Sequence, residues 1–255
     1  TLVFSIADAA VLRPLPYAEP DQLVWVSQGV SAGKTEYALA PDFAAWRSQV
    51  RTFAQATAFS ERFRNFAGKG EPVRILTAEV THEFLSTLGA QPTLGRDFLT
   101  EEDRPGGARV ALLAYDFCAR RFGAVQSCVG ETLKLDGVPF EVVGVLPEHF
   151  RFPQPLDVDV LTPLALGPEQ EERVASAEVG VRQVKVIARL RPGATVEQAR
   201  AELNAVQNGV VQSYPQLQDG RGVSVRTLHE HLTEGIKGAA LFPRWRSGCC
   251  GRSAA

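Results

Sequence analysis

Four short stretches of this chain have residue types that do chemistry. Asp157-Val158-Asp159-Val160 sets two carboxylates two positions apart, and in a strand such residues share a face, as paired acid/base groups require. His229-Glu230-His231 offers two imidazoles, His82-Glu83 an imidazole beside a carboxylate, and Glu101-Glu102-Asp103 three consecutive acids. A metal-dependent hydrolase using Asp157, Asp159, His229 and His231 would bring those four side chains together at one site, the histidines reaching it from a strand end. The spacings argue against it. Neither histidine cluster has the His-Glu-x-x-His order of a zinc-protease helix. Consecutive acids point different ways, whereas loops for hard cations space their ligands, so Glu101 to Asp103 reads as a solvated surface turn.

Other reactive motifs are incomplete. Gly29 to Thr35, GVSAGKT, invites a phosphate-cradling reading, but the position that needs the leading glycine is Gln28, and Pro41 follows too soon for a helix to start at Lys34. It reads as a polar loop. There is no Gly-x-Ser-x-Gly elbow, and neither Cys118 nor Cys128 has a neighbouring histidine to make it a nucleophile. Arg62 and Arg64 interleave with Phe59, Phe63 and Phe66, yet the flanking charge is mixed, so core packing is the better account than stacking on bases. No catalytic residue, cofactor-binding residue or metal ligand is assigned, and no cofactor is expected.

The elements that would position such groups can be read in order. With 255 residues, 45% hydrophobic and 22% charged, the chain has material for one large or two modest domains. A net charge of −2 removes the simplest argument for nucleic acid. Four cysteines, Cys118, Cys128, Cys249 and Cys250, are too few and too irregular for a disulfide scaffold. A Cys118–Cys128 bridge is one reading, and two buried thiols packed as small hydrophobes is the preferred one.

Gly130 to Pro153 is the organising stretch. Leu133 and Leu135 alternate with polar residues, Asp136-Gly137 supplies a two-residue hairpin turn, and Val142 to Leu146 is nearly all apolar. Before it, Pro41-Asp42 opens a helix with Phe43, Trp46 and Val50 on one face, and Thr81 precedes a helix stopped by Gly89. After it, Gln183 to Arg191 is a strand, Thr195-x-x-Gln198 a capping box, and Val196, Ala199, Leu203, Val206 and Val210 form a helical stripe. Val223 to Leu228 returns as a strand. Strand, helix, strand thus occurs at both ends of the chain, with a block between. Pro105 to Gly107 and the acidic Pro168 to Gly180 are the predicted boundaries.

Several stretches taken together resemble a known family: AVLRPLPY at 10–17, APDFAAWR at 40–47, LGRDFLTEED at 94–103, RFG at 121–123, VGETL at 129–133 and VVGVLP at 142–147. They are similar to the periplasmic core domain of MacB-type ABC transporter permeases with FtsX-like membrane parts, in particular the duplicated permeases of acidobacteria. The likeness covers roughly residues 1 to 235. It implies an α+β fold: a discontinuous porter-like lobe of split βαβ units, 18–105 with 181–230, and an inserted smaller β-rich lobe, 106–180. It implies that residues 1–12 are the outer end of a first membrane helix, and that the domain lies on the periplasmic side of the bacterial inner membrane. It also implies a non-catalytic role, coupling ATPase-driven motion of membrane helices to the periplasm for export or mechanotransmission. The implied partners are the rest of the permease or a second permease copy, a cytoplasmic ABC ATPase and the membrane, with no nucleic acid.

The carboxyl end departs from that pattern. After Gly235 the family calls for a long apolar span, whereas the stretch Phe242 to Cys250 is basic, glycine-containing and much shorter than the roughly 20 apolar residues a span needs; an aberrant tail over 236–255 from a shifted or truncated reading frame is expected. The alternative to a permease domain is a stand-alone soluble binding module, in which residues 1–12 would pack into the core.

Overall fold

A computed structural model describes residues 15–29, 36–67, 71–154, 157–167, 183–213 and 222–240. The expectations for Thr1 to Leu12, the Val30 to Thr35 loop, the Gly68 to Gly70 turn, Pro168 to Gly180 and the tail beyond Ala240 lie outside those residues.

A 3-10 turn at Pro20–Gln22 leads into β1 (Leu23–Gly29), β2 (Ala38–Leu39) and α1 (Ala40–Gln49). Then come β3 (Phe53–Ala67), β4 (Val73–Val80), α2 (Phe84–Leu88) and β5 (Leu94–Gly95). The middle block holds β6 (Val110–Leu113), α3 (Tyr115–Phe122), β7 (Thr132–Leu135), β8 (Val138–Val145) and β9 (Val160–Pro163). The chain ends with β10 (Gln183–Leu190), α4 (Val196–Ser213), β11 (Gly222–Thr227) and α5 (Leu228–Ala240).

The strands hydrogen-bond in the order β11-β1-β10-β3-β4-β9-β6-β8-β5. At one end, β1 lies between β10 and β11, and β10 lies between β1 and β3, all antiparallel. The two strand–helix–strand units, β1-α1-β3 and β10-α4-β11, are therefore each split by a strand of the other. Across the rest, β4 pairs β9 in parallel, β9 pairs β6, β6 pairs β8 and β8 pairs β7. β7 then returns to β3 through Phe66↔Leu135 and Ala67↔Lys134. β3, β4, β9, β6, β8 and β7 thereby close a ring.

The organising hairpin takes the form its sequence dictates. Asp136 and Gly137 sit at φ 51 and 81 between β7 and β8, the left-handed pair that matches strand twist. Asp136 also closes the ring: its carboxylate accepts the Asn65 backbone N–H at 2.9 Å, and its own N–H donates to the Asn65 carbonyl at 2.8 Å. Pro139 faces Lys134, beyond the reach of β6, which meets β8 from Glu141 onward. That is where a residue without an N–H costs nothing.

Strict alternation sorts the core. On one face of the sheet a single cluster runs its whole breadth, from Leu23 and Trp25 of β1 through Phe59 and Ala78 to Leu112 and Val143, closed by α2 and by Leu228 of α5. The other face carries two clusters. α1 and α4 cover Val24, Ala58 and Val186, while α3 with β7 covers Phe66, Ile75 and Val160. Between them lies a polar seam in which Glu79 of β4 is flanked by Arg62 and Arg64 of β3 and pairs with both.

Three expectations are corrected here. Cys118 and Cys128 are joined, Cα atoms 6.3 Å apart, tying α3 to the turn at Val125–Ser127 inside the third cluster. Sequence alone could not choose, since burial and bridging both suit these cysteines. Glu101 to Asp103 is not a solvated turn: Glu102 is buried and accepts Arg96 at 2.6 and 2.9 Å and the Leu99 N–H at 2.8 Å. His229 and His231 are on a helix, not at a strand end. Thr227 and Glu230 form a reciprocal capping box, 3.0 and 3.2 Å, that starts α5 immediately after β11.

Candidate functional site

α5 is seated on the sheet by an aromatic stack. The His231 imidazole lies over the Trp25 indole, centroids 3.7 Å apart and planes at 10°. Trp25 meets Phe59 edge-on at 5.9 Å, and Phe59 meets Phe152 at 5.2 Å and Phe84 at 5.7 Å. A continuous run of rings thus leads from α5 through β1 and β3 to the β8–β9 connection. Burial, then the nearby Arg226 and Lys185, push the His231 pKa down to about 4, with Glu234 acting the other way. The segment before β1 rests on the same cluster: Leu15 and Tyr17 pack there, Tyr17 donates to the Arg151 carbonyl at 2.8 Å, and the Pro20–Gln22 turn touches α5.

The opposite face is locked by a buried polar chain. Asp42, at the third position of α1, accepts from Gln28 of β1, from the Leu39 N–H at 3.3 Å and from Gln207 of α4 at 2.9 Å. Gln207 in turn accepts the Trp46 indole N–H at 2.8 Å. One carboxylate without exposure therefore pins two helices to a strand, the arrangement that makes a buried charge tolerable.

His82, Glu83 and Asp103 place ligand atoms within 4.8 Å of one another, the one such group of three among the described residues. Their contacts are those of a staple. Asp103 accepts the backbone N–H groups of His82 and Ala165 at 2.9 and 2.8 Å, and Arg47 sits on Glu83. Beside it, burial pushes the Asp97 carboxyl up to about 6, although the Phe98 N–H and His82 work against that. Gly95 and Gly144 are partners in the antiparallel β5–β8 pair, and a Cβ on Gly144 would stand 2.6 Å from the Arg96 carbonyl oxygen. The sequence LGRDFLTEED is thus a loop stitched to β8, α2 and the end of β9.

Asp157 and Asp159 precede β9 rather than lying in it, and both line a cavity of about 260 Å³ with the start of α3 and the Leu146–Phe152 connection. Burial raises the Asp159 carboxyl while Arg120, 3.2 Å away, lowers it. No three of Asp157, Asp159, His229 and His231 have ligand atoms within 4.8 Å of one another; Asp159 is held by Arg120 and His231 by Trp25. Sequence reasoning missed the α5 cap, although Thr-x-x-Glu is the same signature as Thr195-x-x-Gln198.

No helix of the described residues is long and apolar enough to cross a membrane. Similar solved structures share the architecture at low identity. The periplasmic region of MacB from Actinobacillus actinomycetemcomitans superposes with a TM-score of 0.60 at 12% identity, covering 90% of this chain and 97% of its own. The extracellular domain of the noncanonic ABC-type transporter YknZ from Gram-positive bacteria gives 0.58 at 14%, covering 79% and 99%. A domain of a permease protein from Porphyromonas gingivalis gives 0.61 at 15%, covering 83% and 92%. Among curated proteins, none matches the sequence significantly. The MacB-like periplasmic core domain matches residues 1–206. This chain, with its split βαβ units and ring of strands, belongs to the MacB-like periplasmic core domain family of ABC transporter permeases.

Proposed function

We propose that the chain is a non-catalytic mechanical coupler on the extracytoplasmic side of a bacterial inner membrane. In this reading it passes ATPase-driven motion of permease helices outward for export or mechanotransmission. The observation that carries the proposal is the meeting of the segment before β1 with α5 on one aromatic cluster, which itself reaches the β8–β9 connection. A displacement applied at either end of the described chain enters the same packed body. β3 supplies stiffness: its 15 residues span about 50 Å at 3.3 Å per residue, pairing β10 in its first half, β4 in its second and β7 at its tip. We take 18–105 with 181–230 as the membrane-proximal porter-like lobe and 106–180 as the inserted lobe. The partners are a cytoplasmic ABC ATPase, the remaining permease or a second copy, and a membrane reached through residues 1–12.

Location is tested by expressing the gene in its native host, separating inner membrane from periplasm and adding protease from outside to cells with a permeabilised outer membrane. Cleavage of the domain in the inner-membrane fraction is the expected result. Protection of the domain until the inner membrane is broken overturns the reading.

A further inference from the structure

The sheet end at which the chain enters β1 carries a basic groove that the coupling path does not use. Register gathers the ends of four strands there: Leu23 lies beside Arg189, Phe53 beside Leu190, and Val24 beside Thr227. Where α1 and α4 cover that end, Arg47, Arg51 and Arg191 line an open groove together with Glu202. Glu202 is committed to the backbone, its two carboxylate oxygens accepting the Arg51 and Thr52 N–H groups at 2.8 and 2.9 Å. Arg47 is committed to Glu83. Arg191 donates its Nε to the Arg51 carbonyl oxygen at 2.8 Å, which sets its guanidinium beside Arg51. The terminal nitrogens of Arg191 and the whole Arg51 guanidinium have no hydrogen bond or ion pair among the described residues, and both residues are exposed. Counting Glu83, three guanidinium groups meet two carboxylates that already have partners, and two of the three keep unspent donors.

We infer that this groove takes the phosphate of an anionic phospholipid headgroup, with Arg51 and Arg191 donating to its oxygens. The inference rests on the proposed reading of residues 1–12 as the outer end of a membrane helix. Arg189 holds the Ala18 and Glu19 carbonyl oxygens at this end of the sheet, at 2.7 and 3.3 Å. The six residues from Leu12 to Ala18 can span at most about 22 Å, however they run. The far tip of β3, 15 residues along, lies about 50 Å away at 3.3 Å per residue. Of the two ends, this one is tethered within reach of headgroups. Guanidinium groups bind phosphate through paired N–H donors as well as through charge. Their attraction to a charged surface fades over a Debye length, about 10 Å at 0.1 M salt, so it acts only on an end held close. A zwitterionic headgroup brings a cancelling ammonium with its phosphate, so the groove discriminates by net charge.

The test places the full chain in nanodiscs of phosphatidylcholine, with or without added phosphatidylglycerol, and reads the broadening of backbone amides by a lipid spin-labelled at its headgroup. Broadening over 47–54 and 191–202 is expected in the anionic discs, weaker by about threefold or more in the zwitterionic discs and weakened likewise by high salt. Arg51→Gln should reduce it about fivefold in the anionic discs, with the disc-bound fraction of the chain unchanged. Equal broadening in the two lipids, or broadening unchanged in Arg51→Gln, would overturn the assignment. Tighter binding of inorganic phosphate or of hexaglutamate at the same amides, without lipid, than of the anionic disc would overturn it in favour of a free anion or an acidic polypeptide. A chain bound to discs with an unbroadened groove overturns this assignment alone, whereas a chain that associates with neither disc overturns the membrane-helix reading and this assignment with it. The wild-type comparison between lipids decides the matter even where Arg51→Gln is poorly folded.

Discussion

At Trp25 and His231 two rings lie face to face while the indole Nε1 and the imidazole Nδ1 are both buried without hydrogen-bond partners among the described residues. Burial, Arg226 and Lys185 oppose an imidazolium there and outweigh the nearby Glu234, which favours one. The folded-state pKa of about 4 lies below the ordinary 6.5, so the unfolded chain binds a proton first as pH falls. The stability His231 contributes is complete above about pH 6.5, is lost progressively toward pH 4 and changes no further below that. Denaturant midpoints of the wild type and His231→Phe should therefore differ in the wild type's favour less at about pH 4.5 than at pH 7.5. A gap that stays constant with pH would remove His231 from the joint. On the opposite face, Asp42→Ala leaves Gln28, Gln207 and the Leu39 N–H short of an acceptor and should cost about 3 kcal/mol by the same method. Asp42 was legible as a helix-start residue. Its partners Gln28 and Gln207 were not, because a bond spanning 165 positions leaves no periodic trace in the sequence.

Among the elements, the β7–β8 hairpin was readable down to its turn residues because a two-residue loop is a local problem with a local solution. α1, α2 and α4 were likewise signalled by caps, stripes and a stop glycine. The ring closure to β3, the parallel pairing of β9 with β4, and the covalent tie of Cys118 to Cys128 depend on what folds against what. α5 was overlooked because Val223 to Leu228 has the alternation of a strand up to the residue where the helix begins. Two glycines separate local from nonlocal demands. Gly137→Ala adds a Cβ in open space at a positive φ and should cost about 1 kcal/mol. Gly144→Ala drives a Cβ against the Arg96 and Leu94 carbonyls at 2.6 and 2.9 Å, so it should cost several times as much and detach the loop that carries β5. Equal effects in thermal melts would refute the close approach at Gly144. Cys118→Ser should lower stability by about 3 kcal/mol, given a closed loop of ten or so residues. Mass spectrometry under non-reducing conditions should find Cys118 and Cys128 in one linked peptide; both as free thiols in protein secreted to an oxidising compartment would contradict the bridge.

For the whole molecule, the family resemblance carried what periodicity could not: an α+β fold of split βαβ units and the MacB-like family to which the chain belongs. The structure adds one cluster across the sheet on one face and two helix-covered clusters on the other, divided by the Arg62–Glu79–Arg64 seam. The continuous face joins the two halves stiffly, while the divided face leaves a polar line along which their covers are not packed together. A body of this kind should move as a unit. The decisive measurement assembles the full-length permease with its ATPase in a bilayer, places a spin label at exposed Gln126 of the middle block and another at exposed Asp21, and compares nucleotide states by pulsed distance spectroscopy. The coupler account predicts that the Gln126 label shifts relative to headgroup-bound probes when ATP replaces ADP, while the Asp21–Gln126 distance holds. A Gln126 position indifferent to nucleotide during sustained ATP hydrolysis would contradict it.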